Sequence, residues 1–186
     1  MTVYEAIMNR RTIRKFTQEP LKRDDLLKLV DCARMAAYGA NAQPLKFRIV
    51  DDKDTMDKIF PKTKWAAMLE DGTPAEDERP TAYIAVIGDT SIKKTFETDA
   101  GAAVTNMMLA AEEMGIASCW MGAIDRDAIK RILELDDSYE LVYILALGYP
   151  AQRSRAVEMK DGSTKYYLDD DGVLNVPKRS MDEVLI

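Results

Sequence analysis

Two uninterrupted apolar runs restrict what this chain can fold into. Ala82-Tyr83-Ile84-Ala85-Val86-Ile87 stops at Gly88-Asp89, and Leu141-Val142-Tyr143-Ile144-Leu145-Ala146-Leu147 stops at Gly148-Tyr149-Pro150. Neither run alternates with polar residues. A strand without a polar face must be covered on both sides, so both segments read as doubly buried strands in the middle of a sheet. Such a sheet needs helices on both of its faces.

The rest of the chain supplies those helices. Leu26, Leu29, Val30, Ala33 and Ala37 recur at helical spacing and predict an amphipathic helix over 24–37. The longest helix is predicted over 96–114, with an apolar stripe of Val104, Met107, Met108 and Ala111 and with Gly115 at the C-terminal cap position. The methionine pair reads as core filler. Shorter helices are expected over 3–8, opened by the capping-box spacing of Thr2 and Glu5, over 54–60, and over 125–133 behind Asp125 as N-cap. Short strands are expected over 47–50 and 116–120. Residues 61–80, with Pro61, Gly72, Pro74 and Pro80, read as a loop around a short turn at 65–69.

At 186 residues the chain is long enough to bury one good core, so 1–186 is read as a single domain. Residues 151–186 behave as an extension to it. They carry Tyr166-Tyr167-Leu168 and Val173-Leu174, separated by Asp169-Asp170-Asp171-Gly172, and end in the short helical segment at 181–185. The extension is too apolar to be a free linker and has no obvious hairpin partner nearby, which fits a tail wrapped around something, such as a second subunit. Asp169-Asp170-Asp171 reads as a solvated acidic turn rather than a site for a hard cation.

Composition excludes several classes of function. Lys and Arg number 26 against 32 Asp and Glu, a net charge of −6 that argues against nucleic acid as a partner. No run approaches the roughly 20 apolar residues of a membrane span. The N-terminus has neither a basic start nor a long apolar stretch, so it does not read as a signal peptide. Cys32 and Cys119 lie far apart without a CxxC and read as reduced, buried thiols of a cytoplasmic protein. The chain has no histidine. That removes the commonest general base and metal ligand and every Ser-His or Cys-His nucleophile pair. Any catalysis would then fall to a cofactor. Neither a Gly-x-Gly-x-x-Gly after a strand nor a P-loop is present, and no His or Cys cluster forms a metal site.

Against this acidic background, Arg10-Arg11-Thr12-Ile13-Arg14-Lys15-Phe16 concentrates positive charge behind the first helix. Arginine binds phosphate or carboxylate with planar, bidentate hydrogen bonds. A solvated charged turn and a complement to the helix dipole are the alternatives. Three further features accompany it. Asn41-Ala42-Gln43-Pro44 follows a helix and offers paired donors and acceptors. Cys119-Trp120-Met121-Gly122 ends a strand in a glycine that allows close backbone approach. Pro177-Lys178-Arg179 adds two late cations.

In this order and spacing, the segments resemble the nitroreductase family of FMN-dependent oxidoreductases. The resemblance also includes Asp99-Ala100-Gly101-Ala102-Ala103, Asn106-Met107-Met108-Leu109-Ala110-Ala111, Gly115-Ile116-Ala117-Ser118 and Leu147-Gly148-Tyr149-Pro150, and so covers nearly the whole chain. It implies an α+β fold with a mainly antiparallel central sheet flanked by helices. It also implies a homodimer with FMN at the interface and a C-terminal segment embracing the partner subunit. Arg10 and Thr12, with Arg11 beside them, would address the FMN phosphate, and Lys178 and Arg179 would complete that site. Arg14 would reach the pyrimidine end of the flavin. Tyr38, Gly39 and Asn41 would come from the second subunit, and the backbone at Met121 and Gly122 would face flavin N5. NADH or NADPH would pass hydride through N5 to a nitroaromatic, quinone or free flavin in a ping-pong cycle, with no side chain as catalytic acid or base. The alternatives are a member specialised for reductive dehalogenation or flavin fragmentation, and a flavin-binding protein without turnover. The chain departs from the family at Ala37-Tyr38-Gly39, where Pro-Ser or Ser-Ser is frequent. The 61–80 stretch matches no family motif, and Trp65 there is the candidate for a substrate-pocket wall, with a core anchor as its alternative.

Overall fold

The computed structural model describes residues 1–70 and 72–186. In chain order it forms α1 (Val3–Asn9), α2 (Arg23–Arg34), β1 (Leu45–Val50), α3 (Lys53–Ile59), β2 (Ala82–Asp89) and α4 (Glu97–Glu113). There follow β3 (Ala117–Met121), α5 (Arg126–Ile132), β4 (Tyr139–Gly148), β5 (Ser154–Glu158), β6 (Tyr167–Leu168), β7 (Leu174–Lys178) and α6 (Met181–Val184).

β2 and β4 are the two apolar runs, and they pair at the centre of a four-stranded sheet of order β1-β2-β4-β3 in which every pairing is antiparallel. All residues of β2 are buried. Successive side chains leave opposite faces of a strand. Ile84 and Val86 therefore enter a core with Leu26, Leu29 and Ala33 of α2 and with Ala103, Val104, Met107 and Ala111 of α4. Tyr83, Ala85 and Ile87 enter a second core with Ile59 of α3, Ile129 of α5, Phe16 and Trp65. The continuous apolar pattern thus records two helical layers.

Helix ends follow from local chemistry. Thr2 and Glu5 form the reciprocal capping box of α1. Asp125 accepts the Ala128 amide at the start of α5, and Gly115 takes the left-handed φ of 71° just beyond α4. α2 stops at Arg34, short of the predicted 37. There the Ala33 carbonyl accepts both the Ala36 amide and the Tyr38 hydroxyl, each at 3.1 Å, so the last turn closes tightly and Tyr38 is tied to it. Cys32 is half-buried rather than buried, and Cys119 is buried as expected.

The extension corrects the expectation of a tail without a hairpin partner. Tyr167 and Leu168 pair with Asn175 and Leu174, and β5 adds in parallel to β7, giving a three-stranded sheet of order β5-β7-β6. Asp169 builds the intervening turn. Its carboxylate accepts from the amides of Asp171 and Val173, from Asn175 Nδ2 and from the Arg155 guanidinium, all at 2.9–3.1 Å. A carboxylate with four donors is a structural cap, and no group of metal-ligating side chains occurs among the described residues.

Gly88 shows how closely the first core is packed. A β-carbon there would lie 2.5 Å from the ring of Phe96, which is itself 3% exposed. Gly88→Ala is expected to destabilise the fold by about 1–3 kcal/mol, read as a lower urea midpoint at unchanged m-value.

Candidate anion-binding site

The arginine segment is held by the edge of the central sheet. α1 ends with the Arg10 amide donating to the Ala6 carbonyl at 2.9 Å. The chain then runs extended, with Thr12 bridging Ser118 of β3 in the parallel sense and the Ile13 amide donating to the Ser118 carbonyl at 3.1 Å. Ile13 and Phe16 turn into the second core, at 8% and 0% exposure. Phe16 bridges Pro150, and the Thr17 amide donates to the Tyr149 carbonyl. Two apolar side chains and a few backbone bonds therefore fix a segment whose other side chains are cationic. They also cover an edge strand that would otherwise be open.

The three arginines differ in surroundings. Arg11 folds back onto α1, donating to the Met8 carbonyl at 2.6 Å and also to the carbonyl of Arg10. It therefore caps the negative end of that helix, while its Nε is buried without a partner. Burial, then the Arg10 charge beside it, pushes the Arg11 guanidinium below its ordinary pKa. Arg14 lies over the ring of Tyr166 at 4.9 Å, and its amide donates to Gln152 Oε1 at 3.4 Å. Among the described residues no carboxylate pairs with Arg10, Arg14 or Lys178. Arg179 is paired with Glu183 at 3.3 Å at the start of α6. Arg10 and Arg14 share one short segment that also carries Arg11 and Lys15, a local concentration of positive charge in an acidic chain.

β3 carries the segment toward the strand end singled out above. Ser118 lies three positions before Met121, about 10 Å of strand. Met121 is 4% exposed and Gly122 is exposed. Between them and Ser118, Cys119 faces the second core. Burial raises its thiol pKa to about 11, with the Arg14 charge opposing, so this thiol is inert and Arg14 is near enough to be felt. Trp120 packs edge-on against Tyr143 at 5.1 Å. Trp65 is 7% exposed, stacks on Phe60 at 5.7 Å and donates its indole N–H to Thr63 at 2.9 Å. In this chain Trp65 thus packs as an anchor beneath the 61–80 stretch.

The Tyr38–Gln43 turn is built from strained backbone. Ala40, Asn41 and Gln43 have φ of 51°, 52° and 50°. A left-handed residue other than glycine costs roughly 1–2 kcal/mol, so the turn must be held from outside. Tyr38 is tied to α2 by its hydroxyl, and the Gly39 amide donates to Asp99 Oδ1 at 2.9 Å. Asp99 Oδ2 accepts from Lys93 Nζ at 2.7 Å, and the aspartate is 2% exposed. Burial works to raise the Asp99 pKa, but the Gly39 amide and the Lys93 ammonium outweigh it and hold the carboxyl below the usual range.

Sequence reasoning missed Asp99 and Lys93 as functional candidates, and also Gln152 and Tyr166, which flank Arg14. Asp99 carried a readable signal. It shares the helical face of Ala103 and Met107, all buried, so a carboxylate interrupts the apolar stripe of α4. One cavity borders the arginine segment, and another lies away from it. The first, of about 200 Å³, is lined by Arg11, Glu112, Gln152 and Ser154. The second, of about 240 Å³, lies between α3 and the Arg79–Tyr83 segment. Asp51, Lys53, Asp57 and Arg79 in its lining are paired within the chain, as Arg23–Asp51, Lys53–Asp57 and Arg79–Asp57.

The sequence and fold match a known class. The Nitroreductase family pattern matches residues 7–149. The chain belongs to the nitroreductase family. A protein of Archaeoglobus fulgidus provisionally named NADH dehydrogenase/NAD(P)H nitroreductase is 27% identical over 84% of this chain and 90% of its own. The NADPH-dependent FMN reductase of Bacillus subtilis is 26% identical over 81% of this chain and 66% of its own. A protein from Desulfovibrio desulfuricans, solved in complex with FMN, superposes with a TM-score of 0.73 at 25% identity, covering 100% of this chain and 96% of that one.

Because the folded pKa of Asp99 lies below its unfolded value, its anchor stabilises the fold fully above the ordinary carboxylate pKa of about 3.9. That contribution is lost as pH falls through the lowered value. Asp99→Asn is expected to flatten the acid limb of stability below about pH 4 and to leave the slope above it unchanged, as followed by circular dichroism in urea at stepped pH.

Proposed function

We propose that this chain is an FMN-dependent oxidoreductase that works as a homodimer with NADH or NADPH and a small acceptor such as a nitroaromatic, quinone or free flavin. One observation carries the proposal: Arg10 and Arg14, without a carboxylate partner among the described residues, lie on a segment that Thr12 and Ile13 dock onto β3, the strand that ends at Met121-Gly122. The FMN-reducing relative and the FMN-bound structural neighbour point to the same cofactor.

The donor set fits FMN. Arg10 and Thr12 supply a guanidinium and a hydroxyl for the phosphate, with Lys178 as a further unpaired cation. Arg11, engaged on α1, helps indirectly by closing the helix from which Arg10 emerges. Arg14 brings fixed positive charge toward the pyrimidine end of the ring, where reduction places negative charge. The Met121-Gly122 backbone is assigned to N5, and exposed Gly122 has no side chain to keep the ring away. Tyr38, Gly39 and Asn41 are assigned to the flavin bound mainly by the other subunit. Arg179, already paired with Glu183, reaches the phosphate only by exchanging that partner. FMN held there would supply the redox chemistry between a reduced nicotinamide and the acceptor. No residue of this histidine-free chain is needed as acid or base, and water can supply protons.

A dimer accounts for exposed apolar surface. Val3, Tyr4, Ile7 and Met8 of α1 are 51–71% exposed, and only Ala6 of that helix is buried. Met181, Val184, Leu185 and Ile186 at the C-terminus are also exposed, as expected for a segment that reaches a second subunit.

Purified protein is expected to be yellow, and anaerobic NADH or NADPH is expected to bleach its visible flavin band, with a nitroaromatic restoring it. A yellow protein that neither nucleotide bleaches would point to the binding protein without turnover. Bleaching that a nitroaromatic fails to reverse would point to a specialised acceptor. Arg10→Ala is expected to weaken FMN binding by about 1.5–3 kcal/mol, roughly 10- to 150-fold, measured by fluorescence titration of the stripped protein.

A further inference from the structure

We infer that Asp99 is a positioning residue for the cofactor, acting through the Gly39 amide to hold the Tyr38–Gln43 turn in the shape that meets the flavin of the second subunit. The inference rests on the FMN reading above. It concerns a residue that touches neither the arginine segment nor Met121-Gly122.

The turn cannot hold its own shape. Its internal bonds are short-range: Asn41 amide to Tyr38 carbonyl at 2.9 Å, Ala42 amide to Gly39 carbonyl at 3.1 Å, and the Gln43 side chain to Asn41. These define a local curl but leave its attitude toward the protein open. Three left-handed residues without glycine's freedom favour relaxation. Two ties to the body oppose this, the Tyr38 hydroxyl on the last turn of α2 and the Gly39 amide on Asp99 in the first turn of α4. The second is the stronger kind, an amide donating to a nearly inaccessible carboxylate.

The surroundings of Asp99 are shaped for this contact. Its two oxygens are divided, one to the turn and one to Lys93. Lys93 balances the buried charge and keeps the second oxygen occupied, so the first faces Gly39. A β-carbon on residue 39 would lie 3.2 Å from Lys93 Nζ and 3.5 Å from Asp99 Oδ1, so the backbone approaches the pair as closely as glycine allows. Beside the Tyr38 hydroxyl, the body of the protein thus grips the backbone of the turn at the Gly39 peptide group, and Asn41 lies two residues beyond that grip.

Three variants separate positioning from general stability. Asp99→Ala removes the acceptor, Asp99→Asn keeps an oxygen for the Gly39 amide while losing the charge, and Lys93→Met removes the cation alone. FMN affinity of the stripped protein, thermal midpoint, and hydrogen exchange of the Gly39 and Asn41 amides are measured for each. Asp99→Ala is expected to weaken FMN binding at least tenfold and to speed exchange in the turn. Asp99→Asn is expected to recover most of the affinity even though its midpoint falls. Affinities that merely follow the thermal midpoints across the three variants, or an Asp99→Ala protein within twofold of the parent, overturn the positioning role and leave the FMN reading standing. A parent protein that does not bind FMN overturns both.

Discussion

The pairing of β2 with β4 underlies everything else in this molecule. Both strands are apolar on both faces, so their hydrogen-bonded ladder is stable only when helices cover each side. Once α2 and α4 occupy one face and α3 and α5 the other, β4 is left to recruit β3 as the sheet's edge. That edge is where the arginine segment docks. The cations are therefore placed by the core rather than by each other, through Ile13 and Phe16 on the inside and Ser118 on the backbone.

This arrangement resolves an electrostatic conflict. Crowding arginines into one segment is unfavourable unless something separates or neutralises them. Here the extended backbone sends neighbouring side chains apart, Arg11 goes to the carbonyl end of α1, and Arg14 goes to an aromatic face. Among the described residues Arg10 and Arg14 remain without a carboxylate, although the chain as a whole is acidic. Tyr166, which covers Arg14, comes from the extension, so the tail contributes to the environment of a segment more than a hundred residues before it.

The architecture was legible wherever one residue pattern admitted one physical solution. The doubly apolar runs gave the central strands, the Val104, Met107, Met108 and Ala111 stripe gave α4, and Thr2 and Asp125 marked helix starts. Legibility failed where the deciding partner was distant in sequence. The role of Arg11 depends on carbonyls behind it, that of Trp65 on Phe60 and Thr63, and that of Asp99 on an amide sixty residues earlier. The β6–β7 hairpin was missed because its turn is shaped by the Asp169 carboxylate rather than by glycine alone. The arginine, Asn41 and Met121-Gly122 elements stood out in the sequence because each combined an unusual residue type with a break in secondary structure, and the flavin roles proposed for them come from the family resemblance.

The seven-residue α1 contributes one buried side chain to its own chain, Ala6. A helix of that length is unstable by itself in water. Its capping box and the Arg11 bonds finish its ends but do not replace a packed face. Whatever covers Val3, Tyr4, Ile7 and Met8 therefore also sets how firmly Arg10 is presented at the helix exit. If the proposed dimer covers this face and Arg10 holds the proposed phosphate, anion binding and subunit association would share one element, and dilution that parted two chains would also loosen the grip on the phosphate.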